Sequence, residues 1–356
     1  MNRQVINRDR EEGNARLYRD YFSENPTYPE SIFRRRFRMR RSLFLRIQRE
    51  LAVHDVYFTQ RVDAVGVLGL SPLQKITASL RMLAYGTPAD AIDDYIRIGE
   101  STAIESLRKF ARGVVEIFGA EYMRRPTNED LARLLTVAEN RGFPGMLGSI
   151  DCMHWKWKNC PTAWQGMYTG SLNDINVLDR SNLFEELTEG RGPAVTYTIN
   201  GHEYNMGYYL ADGIYPSWPT FVKTIPSPQG NKKKYFAALQ ESARKDVERA
   251  FGVLQSRFAM IRGPSRFWDV ETMKYIMFSC IILHNMIIED ERDLQTDDYD
   301  YDSIGESANI SLNTNHTRNI IEFIQVHHQI RDKQGHIQLQ IDLVEHVWQR
   351  YGAYQD

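Results

Sequence analysis

Three acidic residues have surroundings suited to metal-assisted chemistry at phosphorus. Asp151 lies in Gly148-Ser-Ile-Asp-Cys-Met-His-Trp155, Asp212 in Tyr208-Tyr-Leu-Ala-Asp-Gly-Ile-Tyr-Pro216, and Glu248 in Ala243-Arg-Lys-Asp-Val-Glu-Arg-Ala-Phe-Gly252. The two aspartates close short apolar runs, and the glutamate sits in a helical pattern. Hard cations such as Mg²⁺ and Mn²⁺ take oxygen ligands, usually a few carboxylates together with substrate phosphates. A pair of such ions can hold both the attacking and the leaving oxygen of a phosphodiester. Each acid also has a plainer reading. Asp212 before Gly-Ile-Tyr-Pro is a turn former, and Glu248 among Arg244, Lys245 and Arg249 is placed for pairing along a helix. Cys152, His154 and Cys160 do not make a zinc site, because no second ligand pair follows at finger spacing.

The elements that must position these acids are legible in outline. Ser71-Pro72 is a helix start, followed by Leu73, Ile76, Leu80 and Leu83 at helical steps and ended by Gly86. Thr87-Pro88 opens a short helix, and Glu100 begins a third with Ile104, Leu107, Phe110, Ala111, Val114 and Val115 on one face. That order predicts a helix-turn-helix whose last member would enter the major groove. Met146 to Cys152 and Tyr208 to Ala211 predict buried strands. Val195 to Ile199 is strand-like and runs into the hairpin signal Asn200-Gly201. A helix from Asn231 to Phe258 carries Glu248 at the edge of its apolar stripe, about 100° from Val247. A further apolar helix follows from Thr272 to Ile288, then an acidic, Asn-rich linker beyond Glu291 and a helical tail from Ile320 to Tyr351. The domain plan is therefore a loose lead-in at 1–30, a helical domain at 31–140, an α/β domain at 141–290, and a linker and tail at 291–356.

Composition sets limits. The chain has 356 residues, 42% hydrophobic and 25% charged, with a formal charge of −2. That is enough to bury a sizeable core in about two domains. The apolar run Ile276 to Ile288 is interrupted and too short to span a bilayer. The first ten residues are too charged for a signal peptide, and three cysteines make no disulfide framework. Charge is unevenly spread: Arg34 to Arg41 holds six arginines in eight residues. Such a run suits DNA contact or nuclear import, or is the solvated face of an amphipathic helix carrying Phe33, Phe37, Leu43 and Phe44.

Taken in order, Gly-Ser-Ile-Asp-Cys-Met-His-Trp, Asn173-Asp-Ile-Asn-Val-Leu178, Asn205-Met-Gly-Tyr-Tyr-Leu-Ala-Asp-Gly-Ile-Tyr-Pro216, Arg244-Lys-Asp-Val-Glu-Arg-Ala-Phe-Gly-Val-Leu254 and Cys280-Ile-Ile-Leu-His-Asn-Met286 closely resemble the Harbinger superfamily of DDE transposases, especially its plant members and the nucleases derived from them. The resemblance runs from about Phe33 to Arg292. It implies an RNase H-like α/β core preceded by an all-α, helix-turn-helix-like domain. It further implies that Asp151, Asp212 and Glu248 bind Mg²⁺ or Mn²⁺, with Asp174 a further acidic position of the site. Implied too are DNA cleavage and strand transfer and a separate Myb-like partner protein, while the arginine run points to a nuclear location.

The sequence departs from that pattern in one place. Two strands should lie between Asp151 and Asn173, yet Lys158 to Gly170 has neither the length nor the β-branched residues for them. Their loss would make the Asp151 strand an edge and loosen the acids' positioning. Weak or absent cleavage by this chain is the consequence. The alternative function is then a catalytically dead DNA-binding or adaptor protein, or an interaction protein acting through its acidic linker and tail.

Overall fold

The computed structural model describes residues 6–64, 66–169, 193–295 and 333–353. Among these, helices α1 (Arg10–Tyr21), α2 (Glu30–Phe37), α3 (Arg41–His54), α4 (Pro72–Tyr85), α5 (Asp93–Ile96), α6 (Glu100–Tyr122) and α7 (Asn128–Asn140) precede strand β1 (Met146–Ser149). Then come α8 (Thr162–Thr169), β2 (Ala194–Ile199), β3 (His202–Met206), β4 (Tyr208–Ala211), β5 (Phe221–Lys223), α9 (Asn231–Arg257), α10 (Ala259–Arg262), α11 (Val270–Gln295) and α12 (Lys333–Ala353). The result is mixed α/β, rich in helix with little sheet. Two compact units divide it. One comprises Met1–Arg124, Trp155–Cys160 and Gly252–Asp302, and the other Arg125–His154, Pro161–Phe251 and Ser303–Asp356. The chain thus crosses between units several times, where the sequence suggested successive domains meeting near residue 140.

In the first unit, α6 is the central helix, packed by α3, α4 and α11. The caps that begin α4 follow from its sequence. Ser71 accepts from the Gln74 N–H while the Gln74 side chain accepts from the Ser71 N–H, so two orphan donors are satisfied at once. Gly86, at φ 65°, closes the helix in the left-handed conformation. Residues 10–21, expected as a loose lead-in, instead form α1. Leu17 and Tyr21 are fully buried, and Tyr21 stacks edge-on against Phe33 and Phe37. Few apolar residues mark that helix in the sequence, but the two that matter are four apart and share one face.

The arginine run also differs from its expected role. Arg40 forms a forked contact with Asp290 at 2.5 and 2.6 Å, Arg34 pairs with Glu291 at 2.8 Å, and Arg41 pairs with Glu30 at 3.6 Å. Arg36 lies 4.1 Å from the ring centre of Tyr28, and Arg38 5.2 Å from that of Tyr85. Most of the run thus holds α2 and α3 against α11 and the aromatic core, and is not presented outward as a basic patch. On α6, the outward residues Glu105, Arg108, Arg112 and Glu116 mix both signs. Glu116 is held by Arg112 and His54, each at 2.8 Å. The three helices read from the sequence occur in order as α4, α5 and α6, and α6 has no uniformly basic face.

The second unit is built on a three-stranded sheet of order β1-β4-β5, parallel throughout. Phe143-Pro-Gly-Met146 makes a tight turn into β1, closed by the Met146 N–H on the Phe143 carbonyl at 3.1 Å, with Gly145 at φ 81°. Pro followed by a positive-φ Gly is the type II pattern. Asn200-Gly201, with φ of 50° and 86°, joins β2 to β3 in a separate antiparallel hairpin. The hairpin signal is realised, with the polar strand His202–Met206 as the partner. Between β1 and residue 169 the described residues hold one helix, α8, and no strand of this sheet. Within the sheet as described, β1 is an edge.

Helix α12 is part of this unit's core: Leu339, Leu343 and Val347 pack with Met146, Tyr208 and Phe236. It is tied to the hairpin through Asp342, a buried residue that accepts from the Tyr204 hydroxyl at 2.5 Å and is 2.8 Å from His202 Nδ1. His202 is therefore a strand residue with a buried partner. Burial alone would raise the Asp342 carboxyl, but hydrogen bonds from Tyr204, Gln338 and His202 together hold it below the usual aspartate range. Since the folded value lies below the unfolded one, the stabilisation is complete above the unfolded pKa of about 4 and is lost as pH falls through the folded value. The stability gap between wild type and Asp342→Asn should narrow below about pH 4 in urea titrations. A gap independent of pH from 3 to 7 would refute this.

Candidate functional site

Parallel pairing fixes where two of the acids stand. β1 and β4 are neighbours, with Ser149 opposite Leu210 and the Ile150 N–H bonded to the Leu210 carbonyl at 2.9 Å. Asp151 and Asp212 each follow the carboxyl end of its strand, so both acids leave the same edge of the sheet. One Asp151 oxygen accepts from the Cys152 N–H at 2.8 Å, and one Asp212 oxygen from the Gly213 N–H at 2.5 Å. Both aspartates are half-buried. Next along the edge, Lys223 ends β5, and its ammonium binds the Tyr215 carbonyl at 3.0 Å and the Ser217 hydroxyl at 2.9 Å. It thereby fixes the loop that follows Asp212. Burial lowers the Lys223 pKa.

Helix α9 crosses these strand ends. Gln240, fully buried, donates to the carbonyls of Ala211 at 3.2 Å and Val222 at 3.0 Å, in β4 and β5. One turn on, the Ala243 carbonyl accepts from Ser149 at the end of β1 at 3.2 Å. Glu248 lies five residues further, about 7.5 Å along the axis. Its carboxylate is engaged: Arg244 Nη1 donates to Glu248 Oε1 at 2.7 Å, while Arg244 Nη2 lies 3.8 Å from Glu241. The Arg244 side chain is 9% exposed and that of Glu248 43%.

Asp151 and Asp212 are thus brought to one edge, and Glu248 to the helix that crosses it, but its carboxylate is turned to an arginine. Asp174 and its Asn-Asp-Ile-Asn motif lie outside the described residues. Among the described residues no three His, Cys, Asp or Glu side chains are grouped to hold a metal ion. The donor chemistry suits Mg²⁺ or Mn²⁺, but the three-carboxylate arrangement that the family implies is not assembled. Sequence reasoning missed Lys223 and Gln240 as parts of this edge, whereas the plainer reading of Glu248, pairing along its helix, is what Arg244 fulfils. Phe-Val-Lys, an apolar pair closing on a cation after a turn-rich stretch, is the only local signal for the first.

The later motif has a structural role in the other unit. Asn285 donates to the Tyr122 carbonyl at 3.0 Å, capping the end of α6, and His284 Nδ1 lies 3.0 Å from Arg257. Burial first, and Arg257 second, push the His284 pKa down to about 4, so it is neutral at pH 7. No described helix is long and apolar enough to cross a membrane.

Comparison with known proteins agrees with these motifs. A family described as plant transposon protein matches residues 120–171 and 167–295, and a domain of unknown function matches residues 13–52. The chain is 21% identical over 271 residues to "Putative nuclease HARBI1" of Bos taurus and 22% identical over 258 residues to that of Homo sapiens, in both cases covering 66% of this chain and 71% of the relative. It is 22% identical over 265 residues to "Protein ALP1-like" of Arabidopsis thaliana, 62% of each chain. No solved structure matches. The chain belongs to the Harbinger superfamily of transposases and proteins derived from them.

Proposed function

We propose that this chain is a DNA-acting protein of nuclease descent whose residual site is the edge bearing Asp151 and Asp212, and that it cleaves DNA weakly or not at all. The observation that carries this reading is the pairing of β1 with β4, which sends two strand-end aspartates to one edge as an RNase H-like core would. Two features argue against vigorous cleavage. β1 has no neighbour on its outer side within the described sheet, and the third acid is paired with Arg244. A displacement of about 1 Å at a reacting centre can cost on the order of a hundredfold in rate. On this reading the ligand is DNA, the cation Mg²⁺ or Mn²⁺ held weakly by Asp151 and Asp212, the location nuclear, and a Myb-like protein the recruiting partner. The adaptor reading, in which DNA or protein binding is retained without chemistry, is favoured by the same two features.

The test is nicking of supercoiled plasmid by the purified protein in Mg²⁺ or Mn²⁺, beside Asp212→Asn. No metal-dependent cleavage above the variant is expected. Robust cleavage abolished by Asp212→Asn would instead establish an active nuclease.

A further inference from the structure

Arg244 is an unusual residue to find beside a cation site. Its side chain is more than nine-tenths buried, its Nε has no hydrogen-bond partner, and its two terminal nitrogens face carboxylates one turn away in either direction, Glu241 and Glu248. A buried guanidinium needs an anion, because an uncompensated charge there is strongly destabilising. Glu248 supplies it at 2.7 Å, the separation of a charge-assisted hydrogen bond. Neighbouring cations are otherwise engaged or turned to solvent: Arg249 pairs with Asp246, as does Arg141, and Lys245 is exposed on the helix.

We propose that Arg244 is an internal counter-ion that latches Glu248, so that the edge bearing Asp151 and Asp212 binds a divalent cation only as tightly as the fraction of time Glu248 is released allows. This rests on the reading of that edge as a cation site. The physical basis is competition: a ligand whose binding-competent arrangement is fractionally populated shows an affinity reduced by that fraction. Arg244 is thus a positioning residue, acting through Glu248. Releasing the latch requires either loss of the guanidinium fork or a swing of Glu248, which is the more exposed partner of the pair.

Calorimetric titration of the full chain with Mn²⁺ tests this in five proteins: wild type, Arg244→Gln, Arg244→Lys, Lys245→Gln and Asp212→Asn. Arg244→Gln should bind Mn²⁺ roughly five- to tenfold more tightly than wild type, the release of a partly exposed ion pair. Arg244→Lys keeps the charge but loses the fork, so it should tighten binding by about threefold. Lys245→Gln removes an equal charge three residues from Glu248 while leaving the Arg244 hydrogen bond in place, and should change affinity less than about twofold. Equal tightening by Lys245→Gln and Arg244→Gln would show a general field effect and overturn the latch. Unchanged affinity in both Arg244 variants, with binding lost in Asp212→Asn, would overturn the latch and leave the cation site standing. Binding retained by Asp212→Asn, or absent from every protein up to millimolar Mn²⁺, would overturn the site reading itself and the latch with it. Near-ultraviolet circular dichroism identifies any variant that fails to fold. If Arg244→Gln fails, Arg244→Lys, whose stem fills the same space, decides the question.

Discussion

Replacing Leu343 by alanine is expected to destabilise the unit that carries the aspartate edge by about 3 kcal/mol. Leu343 is fully buried. It shares a cluster with Met146 of β1, Tyr208 and Leu210 of β4, Val222 of β5 and Phe236 of α9. A cavity at that point is lined by elements from across the unit and cannot close without moving one of them, which places the cost in the upper part of the range for large-to-small changes. Equilibrium urea unfolding of wild type and Leu343→Ala measures the difference. An effect under about 1 kcal/mol would mean that α12 rests on the unit without completing its core. A surface substitution on the same helix, Ile341→Ala, supplies the contrast, because Ile341 is more than half exposed and should cost no more than about 0.5 kcal/mol.

That result bears on how the sequence is interpreted. A tail with no chemistry of its own invites dismissal, yet its apolar residues Leu339, Leu343 and Val347 recur at four-residue steps and bury one stripe. What the sequence does not disclose is which surface the stripe meets. The same limit recurs elsewhere. Local signals were sufficient where local physics decides the outcome: the Ser71-Gln74 capping box, the Gly86 stop, the Asn200-Gly201 hairpin, and the apolar runs that deliver Asp151 and Asp212 to strand ends. They were insufficient where a residue is committed by partners far along the chain. The six arginines from Arg34 to Arg41 read as a basic patch or a solvated helix face because Asp290 and Glu291 lie some 250 residues away. Nothing local marks Asp342 as buried, because its partners Tyr204 and His202 belong to a distant hairpin. The candidate site divides on the same line. Its acids are legible as motifs, whereas the burial that commits Arg244 to Glu248, one turn along the same helix, is set by tertiary packing and is not.

The position of Asp151 depends in turn on how β1 is launched, and Gly145 is where that can be broken with one carbon atom. Gly145 holds φ 81° at the third position of the turn, its carbonyl accepts from the Tyr208 N–H at 3.2 Å, and a Cβ added there would lie 2.3 to 2.5 Å from the ring of Tyr197. That ring cannot give way freely. It stacks on Tyr204 at 5.4 Å, and its hydroxyl donates to the Met206 carbonyl at 3.2 Å. Two costs therefore add in Gly145→Ala: about 1 to 2 kcal/mol for an L-residue in the left-handed region, and about 1 to 3 kcal/mol for overpacking a filled core. A total near 3 to 4 kcal/mol is expected. A double-mutant cycle separates the two parts. On a Tyr197→Ala background the overlap is gone and only the backbone cost remains, so Gly145→Ala should there cost about 1 to 2 kcal/mol. Additive effects in the cycle would show that the ring moves aside without penalty, and that the turn alone, not its packing against β2, sets the path of the strand leading to Asp151.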